Sequence, residues 1–383
     1  MRNKRVAILY NDCRDHGAMG RGESADTIAV LGVLDAVRGV EAACRTIGWE
    51  PVAIAAPEDP RSLLESVTRS RVACVFNLVE ELRGDTRFEA AAAWLLEMSG
   101  VPYTGSPPNA ITVGLDKPIT RALLRERGVP VPGGRVLVTG EESLQGLAFP
   151  CIVKPTREDA SHGISMSSVV HDEAAARARA RYVIATYHQP ALVEEYIEGR
   201  EFNVAILGEG DAAEVLPLAE IDFSGLPADL PRIITYEGKW FPESIDCKGT
   251  PPVPAMPIDP AVEAEIRRVA LAAYRAVGLR DYGRVDMRVC PVRGPFVIEV
   301  NPNPDISPDA GLARAAERYG INHAELIGRV IEAAAARGGD APSAARAVRP
   351  RAYRGDTARN WSVHRGRDLG GARAHRRDPR PTR

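Results

Sequence analysis

The chain has 383 residues, 45% hydrophobic and 26% charged, with a formal net charge of −2. Its length gives room for two or three domains with sizeable cores, and its balance is that of a globular chain rather than a fibrous or wholly disordered one. The six cysteines (Cys13, Cys44, Cys74, Cys151, Cys247, Cys290) stand far apart with no Cys-x-x-Cys pair. That argues against a zinc ribbon or disulfide framework and fits a reducing cytoplasm; no apolar run approaches a signal h-region or a membrane span.

In chain order, Arg5–Tyr10 reads as a buried parallel strand ending at Asn11-Asp12. Residues 24–48 are helix-like, with Ser24 as a possible cap and Gly48 as a stop. Strands follow at Pro51–Ala55 and Val72–Asn77, then an Ala-rich helix at Glu89–Ser99. This alternation predicts a doubly wound α/β domain over residues 1–105. It carries neither Gly-x-Gly-x-x-Gly after its first strand nor a Walker-type loop. Val101–Pro108 reads as a linker. A second, α+β unit is expected over 106–190: a helix at Lys117–Arg127, strands at Arg135–Val138, Cys151–Pro155 and Met166–Val170, and a helix at Glu173–Ile184. A third unit, 191–338, opens with strands at Ala191–Ile197, Asn203–Gly208 and Glu214–Ile221. Residues 222–256, rich in Pro and Gly, have the character of a substrate-covering loop. Helices at Pro260–Val277, Ala310–Tyr319 and Ala324–Ala336 complete it. Residues 339–383 form an Arg-rich tail, with 12 Arg against 3 Asp from Ala344 onward. Its composition reads first as disordered, with nucleic-acid binding as the alternative.

Gly283–Val289 and Phe296–Asn303 alternate apolar and polar residues, and the Pro/Gly-containing connection between them predicts a hairpin. Arg284, Asp286 and Arg288 share one face of the first run. In the second, Phe296, Ile298 and Val300 are expected on one face, and Val297, Glu299 and Asn301 on the other. Asp286, Glu299 and Asn301 would then meet as a hard oxygen site suited to Mg2+. An ordinary hairpin with a solvated polar face has the same periodicity. Lys117, Lys154 and Lys239 decide between the two readings. Each alone reads as a surface charge, but together with the carboxylates they describe a nucleoside triphosphate cradle without a P-loop.

From about Val72 to Ile331 the chain resembles the ATP-grasp ligases, most closely the D-alanine–D-alanine ligase branch. The resemblance rests on Gly100–Gly105, Leu115-Asp116-Lys117, Ile152–Glu158, Leu192–Ile197, Gly199–Phe202, Tyr236–Trp240, Gly283–Asp286 and Ile298–Pro304. It implies two α+β lobes sandwiching ATP behind the N-terminal α/β domain. It further implies that Lys117 and Lys154 hold ATP phosphates, Lys154 also lying near the adenine. Glu194 and the backbone after it, through Glu195 and Ile197, would pair with adenine, and Glu201 would hold the ribose hydroxyls. Asp286, Glu299 and Asn301 would bind two Mg2+ ions, with Mn2+ a possible substitute. Lys239 would reach the γ-phosphate, Arg284 the oxyanion of the intermediate. The loop Glu158–Gly163, with Ser161 and His162, would close over the phosphates. The implied reaction joins a small carboxylate to an amine through an acyl phosphate, in a homodimer.

The departures concern substrate. The family's Gly-Gly-x-Ser-x-Glu turn is replaced by Asn11–Glu23, leaving Glu23 as a possible displaced ammonium ligand. Asp305 stands where the family has a glycine, and it either faces an amine-rich acceptor or caps a helix. Ser307 and Trp240 complete the candidate substrate residues. A specialised amino-acid or carboxylate ligase is therefore preferred to a true D-alanine–D-alanine ligase. A non-catalytic ATP-binding protein is the rival from another class.

Overall fold

Val6–Leu9 are fully buried because their strand is the middle one of a parallel sheet. The computed structural model describes residues 3–12 and 32–340. The expected helix start at Ser24, Glu23 and the Arg-rich tail lie outside the described residues. The first described elements are β1 (Arg5–Tyr10), α1 (Val33–Thr46), β2 (Glu50–Ala55), α2 (Pro60–Arg69), β3 (Cys74–Leu78) and α3 (Glu89–Ser99), with strand order β2-β1-β3. Val6, Ile8 and Phe76 pack in one core with residues of α1, whereas Ala7, Leu9 and Val75 pack in another with α2 and α3. Both faces are covered, which is why these strands read as continuous apolar runs. Sequence reasoning passed over α2, although Asp59 caps it by accepting from the Ser62 N–H at 2.8 Å and Pro60 occupies its first turn.

The middle of the chain supplies α4 (Pro108–Leu115), α5 (Lys117–Glu126), β4 (Gly134–Leu137), β5 (Cys151–Pro155), β6 (Val169–Val170), α6 (Glu173–Tyr187) and β7 (Ala191–Glu195). The expected linker stops earlier than its prolines suggested, because Pro108 begins α4, where a missing N–H costs nothing. Met166–Ser168, expected as strand, is a 3-10 turn closed by reciprocal Ser165 and Ser168 caps; only Val169–Val170 pairs with β5. The antiparallel sheet runs β4-β7-β5-β6 and buries Val153, Val193 and Leu137 against α6. β7 thus belongs to this sheet, on the far side of the boundary expected at residue 190.

Next come β8 (Arg200–Leu207), β9 (Glu214–Val215), β10 (Ala219–Ile221), α7 (Tyr236–Trp240), α8 (Ile245–Lys248), β11 (Pro252–Pro254), α9 (Pro260–Val277), β12 (Tyr282–Cys290), β13 (Gly294–Asn301), α10 (Gly311–Arg318) and α11 (His323–Asp340). The long Pro/Gly-rich stretch therefore contains two short helices and a strand. The third sheet runs β11-β10-β8-β12-β13, with β9 also pairing with β8. Its core, Phe202, Val204, Val285, Met287, Val297 and Val300, packs against α9 and takes Ala110 of α4 and Leu124 of α5. Leu326, Ile327, Val330 and Ile331 of α11 return to the first sheet's core.

The hairpin forms as expected, but its register corrects one face. Asp286 lies opposite Glu299 and Arg284 opposite Asn301, and then a bulge places Val297 opposite Met287. The extra residue is Ile298. Val297 therefore joins Val300 in the core, while Ile298 lines the cleft beside Glu299. Strict alternation had exchanged these two, and a bulge is the device that re-aims a side chain this way.

Gly199 lies on the connection from β7 to β8 with φ +144°, and a Cβ there would fall 2.0 Å from the Val289 carbonyl oxygen. Gly199→Ala must push two backbones apart as well as strain its own. It is expected to cost at least ~2 kcal/mol in urea unfolding and to weaken nucleotide binding. An unchanged denaturation midpoint would show that the connection has slack.

Candidate active site

Two antiparallel sheets face each other across a cleft lined by Ile152 and Lys154 of β5, Glu194 and Glu195 of β7, and Glu201 of β8. Arg284, Asp286 and Arg288 of β12 and Ile298 and Glu299 of β13 form much of its other wall. The alternation of β12 places its three polar residues on this face in line. Arg284 grips Asp286 with two hydrogen bonds of 2.7 and 2.8 Å, and Asn203 donates to the same carboxylate at 2.8 Å. Lys117, at the start of α5, bonds Glu299 at 2.9 Å and also donates to the Glu158 carbonyl. Lys154 meets Glu194 at 2.8 Å, and Arg121 takes the other Glu194 oxygen. Glu201 accepts from Arg288 at 2.9 Å. Glu195 is paired with Arg293, and the Ile197 carbonyl accepts from Arg288.

The loop Arg157–Gly163 enters the cleft with positive φ at Ala160, Ser161 and Gly163. Within it the His162 N–H donates to the Asp159 carbonyl at 2.9 Å, closing a tight turn. Ser161 and His162 line the cleft, and His162 is buried and stacked on Tyr236 with ring centroids 5.2 Å apart. Lys239 and Trp240 reach in from α7; the Trp240 indole N–H donates to the Ala160 carbonyl at 3.1 Å. Beyond Lys239 and Arg284 lies an adjoining cavity lined by Glu80, Glu81, Asp159, Asn301, Asn303 and Asp305, among others. Asp305 does not form the expected helix cap, since α10 begins at Gly311 behind Ala310. It lines this cavity, and its Oδ1 accepts from the Ser307 N–H at 2.9 Å and the Ser307 hydroxyl at 2.5 Å. Ser307 is buried behind it and lines neither cavity. Glu23 lies outside the described residues.

Burial would raise the Glu299 carboxyl, but Lys117, Lys154 and Arg284 outweigh it and hold the group at about 2. Glu299 therefore stays ionised at neutral pH. Burial lowers the Lys154 ammonium to about 7, with Lys117 and Arg121 adding to the effect. Glu299 and Glu201 oppose the shift without reversing it. Lys239 is lowered by burial and by Arg284. In a smaller neighbouring cavity that shares Glu80 and Asp159, burial and then Asp159 and Glu80 push the Glu89 carboxyl well up; Asn303 donates to it at 3.2 Å.

Sequence reasoning singled out Lys117 but missed Arg121, four residues on and therefore on the same face of α5. It also missed Asp159, one residue past a quoted motif, and Asn203. Nothing local marked Asn203, which meets Asp286 through strand pairing.

Facing antiparallel sheets with a cation-rich cleft define an ATP-grasp fold. A structure of D-alanine–D-alanine ligase from Bacillus anthracis complexed with ATP superposes with TM-score 0.68 at 21% identity, covering 88% of this chain and 99% of that one. The family model described as the D-ala D-ala ligase C-terminus matches residues 137–332. Among relatives, an uncharacterised protein, y4sG, of Sinorhizobium fredii is 38% identical over 260 residues, 68% of this chain and 74% of its own. A D-alanine–D-alanine ligase of Albidiferax ferrireducens is 31% identical over 255 residues, 64% of this chain and 69% of its own. The chain belongs to the D-alanine–D-alanine ligase family and is an ATP-grasp carbon–nitrogen ligase. Among the described residues, no helix is long and apolar enough to cross a membrane.

Proposed function

We propose that the chain joins a small carboxylate, an amino acid or a related acid, to an amine through an acyl phosphate, consuming ATP. The observation that carries this is the single face holding Arg284, Asp286, Glu299 and Asn301, opposite Lys117 and Lys154 and open to the acid-lined cavity. A carboxylate oxygen attacks the γ-phosphorus and the bond to ADP breaks. An amine nitrogen then attacks the acyl carbon, the bond to phosphate breaks, and the nitrogen's proton passes to solvent. Lys117, Lys154 and Lys239 orient and neutralise the phosphates, and the Glu158–Gly163 loop covers them. Arg284, fixed by Asp286, meets the oxyanion. Asp286, Glu299 and Asn301 suit a hard cation in donor type and ionisation, and would hold two Mg2+, which neutralise developing phosphate charge.

Asp305 and Asp159 disfavour a second carboxylate in the adjoining cavity and favour amine-bearing partners. That supports a specialised ligase over one confined to D-alanine. Phosphate release is expected from at least one pair in a panel of amino acids, diamines and small carboxylates that includes D-alanine. ATP binding without release from any pair would favour the non-catalytic alternative. The family resemblance extends the proposal to a homodimer, which light scattering reads directly.

The depressed Lys154 ammonium makes nucleotide binding pH-dependent. Between pH 7 and its ordinary value the free folded protein holds this amine neutral, whereas the unfolded chain holds it protonated. The unfolded state binds more protons there, so this group's destabilising effect is full below pH 7 and relieved as pH rises. A bound polyanion favours the charged amine. ATP binding at pH 8.5 is therefore expected to take up as much as about one proton, and affinity to fall by up to ~10-fold per pH unit above 7. Calorimetry in two buffers of different ionisation enthalpy measures the uptake, and Lys154→Met should abolish it. Uptake unchanged in that variant would assign the proton elsewhere.

A further inference from the structure

Arg288 is the third polar residue on the cleft face of β12, two positions beyond Asp286, and the reaction as derived gives it no work. It is 4% exposed and lines a part of the cleft otherwise walled by Ile197, Ile233, Ile234 and Ile298. Burying a guanidinium among isoleucines is costly unless every donor is used. Here its donors tie three segments together. Nε donates to the Ile197 carbonyl at 2.9 Å. One terminal nitrogen donates to Glu201 at 2.9 Å and to the Arg232 carbonyl at 2.8 Å, and the other reaches the Tyr196 hydroxyl at 3.3 Å. Its guanidinium carbon also lies 5.3 Å from the Tyr196 ring centroid and 5.6 Å from that of Phe223. The same tyrosine hydroxyl accepts from the Arg232 N–H at 3.0 Å. The link after β7, the carboxylate of β8 and the segment before α7 thus converge on one side chain.

We propose that Arg288 is a positioning residue for the nucleotide sugar, holding Glu201 as a fixed acceptor and thereby setting the preference for a ribonucleotide over its 2′- or 3′-deoxy counterpart. The proposal rests on the reading that Glu201 receives the ribose hydroxyls. A carboxylate held in one rotamer by a charge-assisted bond offers its remaining lone pairs in a fixed direction, and discrimination by a hydroxyl depends on that geometry. Without the guanidinium the acceptor loses the bond that orients it, and the rise that burial causes in the Glu201 carboxyl loses one opponent. Loss of Arg288 acts on the sugar through Glu201, while Lys154, Lys117 and the metal ligands are left in place.

The test is equilibrium binding of ATP, 2′-deoxy-ATP and 3′-deoxy-ATP with Mg2+ to the full chain, which requires no knowledge of the acceptor. The parent protein is expected to prefer ATP by about tenfold or more over at least one deoxynucleotide. Arg288→Met should bring that ratio to within about twofold of one, and Arg288→Lys should restore part of it. A merely structural role would weaken all three nucleotides equally and keep the ratio, which would overturn the proposal. Glu201→Gln separates the two layers. If it removes the preference while Arg288→Met does not, only the role of Arg288 falls; if it leaves the preference intact, the ribose reading falls and takes this proposal with it. Should Arg288→Met fail to fold, a parental ratio in Arg288→Lys, whose single ammonium cannot reproduce the fork, would overturn it equally.

Discussion

Asp286→Asn and Glu299→Gln are each expected to lower ATP-dependent phosphate release on the order of 10³-fold while leaving a cooperative unfolding transition. Both substitutions keep the shape of the side chain and remove its charge. Asp286 and Glu299 lie directly opposite each other on β12 and β13, and each already balances a cation: Arg284 at 2.7 Å and Lys117 at 2.9 Å. Glu299 remains ionised down to about pH 2 because Lys117, Lys154 and Arg284 together outweigh its burial. Its amide counterpart would leave those cations facing one another and offer a metal only a neutral oxygen. Asp286→Asn would in addition loosen the two-point grip on Arg284, so the guanidinium proposed to meet the oxyanion would lose its orientation. Titrating Mg2+ distinguishes the two losses. A deficit in Glu299→Gln should recede partly at high Mg2+, whereas that in Asp286→Asn should persist. Parental turnover in either variant would remove the carboxylate pair from the reaction.

The hairpin that carries this pair was legible in the sequence because one face is core and the other is polar, so period-two alternation survives in the residues. What alternation could not supply was the bulge. Ile298 and Val297 are both apolar, and nothing in their order says which one turns into the cleft. The central strands of the first sheet were legible for the opposite reason, being apolar throughout and bounded by turns. Arg288 illustrates a further limit. Its place on the polar face was readable, but its partners come from positions 196, 197, 201 and 232, and only folding brings them to it. Motif spacing likewise found Lys117, Lys154 and Glu194 singly. That Glu194 lies between Lys154 and Arg121, and that burial leaves Lys154 with a depressed ammonium, are properties of packing.

Asp281→Ala is expected to cost about 3 kcal/mol, the largest single loss of stability among the variants, because the Gly105 N–H and the half-buried Arg337 guanidinium lose their shared, fully buried acceptor. The Asp281 side chain is 1% exposed and faces Arg337 of α11 in a two-point pair, both contacts at 2.7 Å. It also accepts from the Gly105 N–H at 2.8 Å, and Arg337 donates in turn to the Tyr103 carbonyl at 2.7 Å. One carboxylate thus joins the end of the first α/β layer, the last helix and the residue that precedes β12. The sequence divided these segments between separate units, and the pair shows why the division is incomplete: α11 packs on β3 and is locked to the start of the strand that carries Arg284 and Asp286. Replacing only Arg337, by Met, should cost somewhat less, since Asp281 keeps the Gly105 donor. The double variant should cost clearly less than the two singles together, with a coupling of at least ~1 kcal/mol. Asp281→Asn should fall between, because asparagine tolerates the residue's φ of +64° and still accepts from Gly105, but its amide cannot balance the guanidinium. Urea midpoints with a constant slope measure all four variants. A loss below about 1 kcal/mol in Asp281→Ala would mean that water reaches Arg337 once the carboxylate is gone. Because β12 starts at the next residue, the same variant should also lower the affinity for ATP without touching any residue of the cleft. Affinity unchanged in a destabilised variant would show that β8 and β13 alone hold β12 in register.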